Sequence, residues 1–125
     1  MADAKALEAK RKTLEKETMA LQELRREQAT LVATRQTLDS QLQENELVEA
    51  EFGRLQDGAR IYKMVGPALV PQDRAESVAN VQKRLEFIRS EIQRVEGRLE
   101  KLVAEQQRLS TSAYKLQMEI QGAAA

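Results

Sequence analysis

One short stretch, Ala59 to Gln72, constrains the fold more than any other feature of the chain. It reads ARIYKMVGPALVPQ, contains both prolines of the sequence and lacks the heptad pattern of the segments on either side. The runs 61–65 and 68–70 are rich in β-branched and apolar residues, so each is predicted as a short strand. Gly66 and Pro67 suit a two-residue turn, because Gly tolerates a positive φ and Pro a negative one. The sequence therefore predicts a β-hairpin over residues 59–71.

The predicted hairpin is apolar on both of its faces. Ile61 and Val65 point to one face and Tyr62 and Met64 to the other. An isolated two-stranded hairpin is only marginally stable in water, and its edges leave N–H and C=O groups unpaired. We therefore expect it to complete a sheet with other chains, the alternative being a plain apolar loop between two helices. Pro71, which has no N–H, is expected at a strand end or an unpaired edge. The residues of the predicted assembly element are Ile61, Tyr62, Met64, Val65, Gly66, Pro67, Ala68, Leu69 and Val70.

The segment before the hairpin, residues 4–57, is predicted to be a long helix. Leucines recur every seven residues from Leu7 onward, as the seam of a coiled coil requires. Asn45 falls on the continuation of this seam, where it either fixes the register or faces water. Asp57 and Gly58 are predicted to end the helix, since Gly is favoured just past a helix C-terminus. Several other seam positions are polar, namely Lys10, Glu17, Gln28 and Arg35.

The segment after the hairpin, residues 73–121, is predicted to be a second long helix. Asp73 is placed to cap it, and apolar residues from Val78 to Ile120 follow a more regular heptad seam. Gly122 is predicted to stop the helix and leave residues 122–125 as a frayed tail. Because the hairpin is short, the helices must run antiparallel as neighbours. The predicted fold is one mostly α domain, residues 1–125: a long antiparallel two-helix coiled coil with a short β-hairpin between the helices.

Composition argues against several classes of function. The chain has no His and no Cys, which removes the usual general base near neutral pH and the thiolate nucleophile, so we predict that it is not an enzyme. No residue spacing indicates a cofactor or metal site. The formal net charge is zero, which gives no reason to expect a nucleic-acid or membrane partner. The N-terminal residues lack the apolar run of a secretory signal, so a cytoplasmic location is expected.

Apolar residues also lie off the seam near the two termini, which the antiparallel pairing would bring together. Met19, Tyr114 and Met118 are the examples, and flexible Met side chains suit the binding of varied apolar partners. Scattered apolar residues are equally normal on protein surfaces, so both interpretations stay open. Phe87, off the seam near the hairpin, is expected to pack against the sheet or a neighbouring chain.

Three segments together resemble the β class of the prefoldin family. They are Gln41–Val48 (QLQENELV), Tyr62–Val70 (YKMVGPALV) and Val81–Ile88 (VQKRLEFI). The resemblance covers nearly the whole chain, and the single hairpin fits the β class. Pro71 departs from the family pattern, which leads us to expect a basic residue at this position.

The resemblance implies a subunit of a heterohexamer of two α-class and four β-class chains, whose hairpins join an intermolecular β-barrel. It implies an ATP-independent holdase that binds non-native actin and tubulin at the coiled-coil ends and transfers them to the cytosolic chaperonin. The alternative is a structural coiled-coil scaffold or tether without client binding. The implied client contacts are Leu7, Leu14, Met19, Tyr114, Leu116, Met118 and Ile120.

Overall fold

The computed structural model describes residues 2–56 and 58–124 and contains two long helices joined by a β-hairpin. The elements are α1 (Ala2–Arg54), β1 (Ile61–Val65), β2 (Ala68–Gln72) and α2 (Arg74–Ala124). The predicted fold class, a two-helix coiled coil interrupted by an antiparallel hairpin, is therefore confirmed. The helices form because heptad-spaced aliphatic residues are embedded in Glu, Lys, Arg, Gln and Ala, which are strong helix formers.

Neither long helix ends at the glycine that was predicted to end it. α1 ends at Arg54, and Gly58 lies beyond it in a turn closed by the Ala59 N–H donating to the Gln56 carbonyl over 3.0 Å. Gly58 has a φ of 90°, which suits that turn, whereas Asp57, the other residue predicted to end α1, lies outside the described residues. α2 continues through Gly122 to Ala124. Gly122 does not adopt a positive φ, and the alanines after it favour helix.

The hairpin has the predicted turn and a longer second strand than the sequence predicted. Gly66 has a φ of 60°, and Val65 pairs with Ala68 across the two-residue turn. β2 continues through Pro71, which lies opposite Tyr62. Cross-strand pairs in an antiparallel hairpin alternate between hydrogen-bonded and non-hydrogen-bonded pairs. Counted from the turn, the pair of Tyr62 and Pro71 is a non-hydrogen-bonded one. The missing N–H of Pro71 therefore falls at the open edge, and the strand does not have to stop there.

The chain divides into two compact units. The terminal unit comprises Met1–Ala33 and Glu96–Ala125, and the hairpin unit comprises Thr34–Val95. In each unit the two helices run antiparallel: Lys10 lies beside Glu119 in the terminal unit, and Glu46 beside Arg89 in the hairpin unit. α2 supplies the buried apolar residues of the described part of the hairpin unit, which are Val81, Leu85, Ile88, Ile92 and Val95. The buried apolar residues of the terminal unit are Leu21, Leu102 and Leu109.

Candidate functional site

One face of the hairpin is entirely apolar and exposed. The strand register places Tyr62 and Met64 on the same face as Leu69 and Pro71. Met64 is 73% exposed and Leu69, its direct cross-strand partner, is 67% exposed. Burying a residue of this size is worth roughly 1.5–3 kcal/mol, so leaving the face in water forgoes several kcal/mol. This face has the composition of a protein–protein interface.

The opposite face of the hairpin is attached to the helices at one end only. Ile61 and Gln72, which pair at the start of the hairpin, are both half-buried. The buried Ser77 hydroxyl of α2 donates to the Gln72 side-chain carbonyl over 3.0 Å. Val65 and Val70, nearer the turn, are exposed. The hairpin is thus held at its base while most of its apolar surface stays uncovered.

Arg74, the first residue of α2, ties the two helices together beside the hairpin. Its guanidinium donates to the carbonyls of Phe52, Leu55 and Gln56 over 3.1, 3.0 and 3.4 Å. Carbonyls at the end of a helix have no partner within the helix, so these bonds cap the C-terminus of α1. The cationic side chain also lies at the negative end of the α1 dipole. Arg74 therefore fixes the chain entering and leaving the hairpin.

The terminal unit carries the residues implied as client contacts. Met19 and Tyr114 are 61% and 64% exposed, and Met118 is also exposed. The four remaining residues lie on the seam and are only half-buried: Leu7, Leu14, Leu116 and Ile120. The unit therefore presents exposed apolar side chains together with an incompletely covered seam.

Polar contacts replace aliphatic packing at several seam positions of the terminal unit. Lys10 lies 3.3 Å from Glu119, and the Ser112 hydroxyl donates to Glu17 over 2.7 Å. The second carboxylate oxygen of Glu17 is buried without a hydrogen-bond partner. A buried polar atom without a partner is costly, and polar seam residues generally lower the stability of a coiled coil. A third polar contact joins the side-chain amides of Gln28 and Gln106 over 3.0 Å.

One ion pair in the terminal unit has bidentate geometry. Arg98 donates to both carboxylate oxygens of Glu27 over 2.8 and 2.9 Å. The hydrogen bonds from Arg98 lower the pKa of the Glu27 carboxyl, and the same contact raises the pKa of the Arg98 guanidinium. Both side chains are largely solvent-exposed, so the pair contributes little to the stability of the fold.

Asn45 and Phe87 lie in a groove of the hairpin unit, between α1 and α2. Asn45 is half-buried, and its amide donates to the Gln41 carbonyl of its own helix over 2.7 Å. Among the described residues Asn45 makes no hydrogen bond to α2, which favours the interpretation that it does not set the register. Phe87 is 65% exposed and packs only loosely within its own chain.

The described residues provide no cluster of three His, Cys, Asp or Glu side chains arranged to hold a metal ion. Within the same part of the chain, no helix has a stretch apolar and long enough to span a bilayer.

The fold and the exposed hairpin together define a class: paired long helices that carry one β-hairpin between them. The sequence profile described as "Prefoldin subunit" matches residues 15–120. Prefoldin subunit 6 of Saccharomyces cerevisiae is 38% identical over 95 residues, which cover 76% of this chain and 83% of that one. The human and mouse proteins of the same name are each 35% identical over 91% of this chain and over 88% and 90% of their own lengths. The chain belongs to the prefoldin subunit family, and is accordingly a chaperone subunit.

Solved structures give the same fold at lower sequence identity. The crystal structure of the prefoldin beta subunit from Thermococcus strain KS-1 is 20% identical, with a TM-score of 0.75 over 82% of this chain and 90% of that one. The beta2 subunit from the same strain gives a TM-score of 0.63 at 23% identity, over 74% of this chain and 98% of that one. These likenesses support the β-class fold that the single hairpin predicted.

Sequence reasoning missed the Arg74 cap. A cation in the first turn of a helix is electrostatically unfavourable for that helix, which was a usable signal that Arg74 has a partner elsewhere. Where that partner lies could not be read from the sequence, because α1 ends three residues before the predicted position.

Proposed function

We propose that the chain is one subunit of a cytoplasmic, heterohexameric, ATP-independent holdase. The observation that carries this proposal is the hairpin, whose apolar face is exposed over both strands while its base is anchored by Ser77 and Arg74. A rigidly held, uncovered apolar sheet with open edges is suited to joining strands from other chains. The hairpin from Ile61 to Val70 would then contribute to an intermolecular β-barrel with α-class and β-class prefoldin subunits.

Substitution of the exposed hairpin pair tests this assembly. Met64→Asp and Leu69→Asp should together abolish incorporation into the complex, because unpaired charges buried in a shared sheet cost several kcal/mol. Both side chains are exposed within the chain, so the substitutions leave its own packing intact. Val103→Asp, at an exposed residue of the terminal unit, is the matched control.

Native mass spectrometry of the complex recovered with each variant gives the readout. Six different chains, each near the 14.2 kDa of this one, are expected with the control and no such particle with the double variant. A complex that forms normally with both aspartates in place would refute the shared sheet. It would favour the scaffold or tether in which the hairpin is only a connector.

The same proposal assigns client binding to the terminal unit. Non-native actin and tubulin would contact Met19, Tyr114 and Met118, with the half-buried seam leucines adding apolar surface, before transfer to the cytosolic chaperonin. Support comes from the exposure of these side chains and from the polar contacts that weaken the neighbouring seam. No ATP is required, because binding of exposed apolar surface is favourable by itself.

Aggregation assays test the client contacts. Changing Met19, Tyr114 and Met118 to Ser should weaken suppression of actin aggregation, measured by light scattering without nucleotide, while the complex stays intact. Val32→Ser with Val103→Ser is the control, since both residues are exposed in the same unit. Equal suppression by the two sets of variants would remove the three residues from the client site.

A further inference from the structure

Two grooves of the hairpin unit meet at Arg84. The first lies where the hairpin joins the helices, and Ile61, Lys63 and Arg84 are among the residues that line it. The second lies between α1 and α2, and Arg84 lines it together with Lys83 and Phe87. Arg84 lines both grooves, and the two together are called here the base groove.

The base groove has a one-sided charge. No Asp or Glu among the described residues lines either part of it. Lys63, Lys83 and Arg84 line it and have no ion-pair partner within the described part of the chain, whereas Arg89 of the same unit is paired with Glu46. Cations without a partner beside apolar surface complement an anionic group on another molecule.

The groove also has an apolar anchor point. Phe87 forms one wall of its second part and is 65% exposed, beside Ile88, which is buried. Aromatic residues and arginine are enriched at protein interfaces. The amides of Gln41 and Asn45 on the α1 side can accept or donate further hydrogen bonds. The combination fits a polypeptide segment with carboxylates and an apolar side chain.

We propose that the base groove receives an acidic segment of an adjoining prefoldin subunit and so selects which subunit sits beside this chain. The inference rests on the proposed hairpin-mediated assembly, because Tyr62, which belongs to the exposed apolar face of the hairpin, also lines the groove. The hairpin supplies apolar surface that is common to many partners. The cations of the groove supply the charge complementarity that distinguishes one neighbour from another.

Photo-crosslinking in the intact complex tests the occupant. Phe87 is replaced by the photoreactive residue p-benzoyl-L-phenylalanine, and the same residue placed at Val103 of the terminal unit is the control. The expected result is a single crosslinked subunit from position 87, mapped by peptide mass spectrometry to an Asp- or Glu-rich segment, and no subunit crosslink from position 103. A crosslink to a segment without acidic residues, to a protein that is not a subunit, or to nothing would overturn the inference.

Charge reversal tests the selection of the neighbour. Lys83→Glu with Arg84→Glu should lower incorporation about tenfold in competition with the unaltered chain, because like charges across an interface disfavour association. Lys101→Glu with Lys115→Glu, two exposed cations of α2 in the terminal unit, should leave incorporation unchanged. Equal incorporation of the two double variants would overturn the inference.

The failure of this inference is distinguishable from the failure of the hairpin proposal. Unchanged incorporation after charge reversal, with loss of assembly in the Met64→Asp, Leu69→Asp variant, removes only the base groove. Normal assembly of that aspartate variant removes the hairpin interface itself.

Discussion

Arg74→Met should loosen the hairpin by about 2–3 kcal/mol. The substitution keeps most of the apolar stem and removes the guanidinium that bonds to three carbonyls at the end of α1. Hydrogen bonds to charged groups are worth about 1.5–3 kcal/mol each, but a single side chain supplies all three, so their contributions do not add. The bond to Gln56, at 3.4 Å, adds little because of its length. The two partly buried bonds, to Phe52 and Leu55, therefore account for the expected loss.

Hydrogen–deuterium exchange of the assembled complex measures this loss where it occurs. A loss of 2–3 kcal/mol corresponds to roughly 30- to 150-fold faster exchange of amides in β1 and β2 that open locally. Arg54→Met is the matched control: Arg54 is exposed, and its ion pair with Glu51, at 3.1 Å, lies within its own helix. Such a pair is worth at most about 0.5 kcal/mol. If both variants exchange equally, Arg74 does not hold the hairpin and the capping argument is wrong.

Three further outcomes are expected. In NMR titrations the pKa of the Glu27 carboxyl should lie below its ordinary value and should rise in Arg98→Gln. Because the folded-state pKa is depressed, the stabilisation from this ion pair is present above the unfolded-state pKa and is lost as pH falls through the folded-state pKa. An unshifted wild-type pKa would contradict the contact. Gly66→Ala should destabilise the hairpin by about 1–2 kcal/mol, measured by hydrogen exchange, because the φ of 60° at this position strains any L side chain. Gly97→Ala, in a helix interior with open space around it, should instead stabilise its helix by about 0.5–1 kcal/mol. Equal effects of the two substitutions would count against the turn geometry. Gln28→Leu should destabilise the terminal unit by about 1 kcal/mol in thermal unfolding, because the half-buried amide of Gln106 loses its hydrogen-bond partner. A stabilised variant would show that this polar contact does not stabilise the seam.

The sequence was sufficient for the fold wherever one local rule decided the structure. The turn was predictable because only Gly66 offers a cheap positive φ between two apolar runs, and the register follows once the turn has two residues. The seam was predictable because heptad spacing places every member on one face, and the buried apolar residues of α2 all lie on the expected seam. Helix ends were less predictable: α1 ends where Arg74, a residue of the next helix, supplies the missing donors.

The candidate sites were harder to predict because they depend on pairs of residues distant in sequence. Glu17 was recognisable as a polar seam residue, but its partner Ser112 follows only from the antiparallel register. Lys83 and Arg84 were part of the segment that resembles prefoldins, yet nothing local indicates that they have no ion-pair partner among the residues the structure describes. That property depends on which acidic residues the folded chain brings close to them.

The distribution of buried residues gives a physical reason why one heptad pattern could serve the two proposed functions, assembly at the hairpin unit and client binding at the terminal unit. In the hairpin unit, α2 buries Val81, Leu85 and Val95 in an uninterrupted seam, which gives the hairpin a firm base while its apolar face stays exposed. In the terminal unit the same pattern carries Glu17, whose polar contact with Ser112 replaces apolar packing. A firm base favours assembly because strands held in place lose little entropy on pairing. A loosely packed seam favours the binding of irregular apolar partners, because side chains that are only half-buried can repack at small cost.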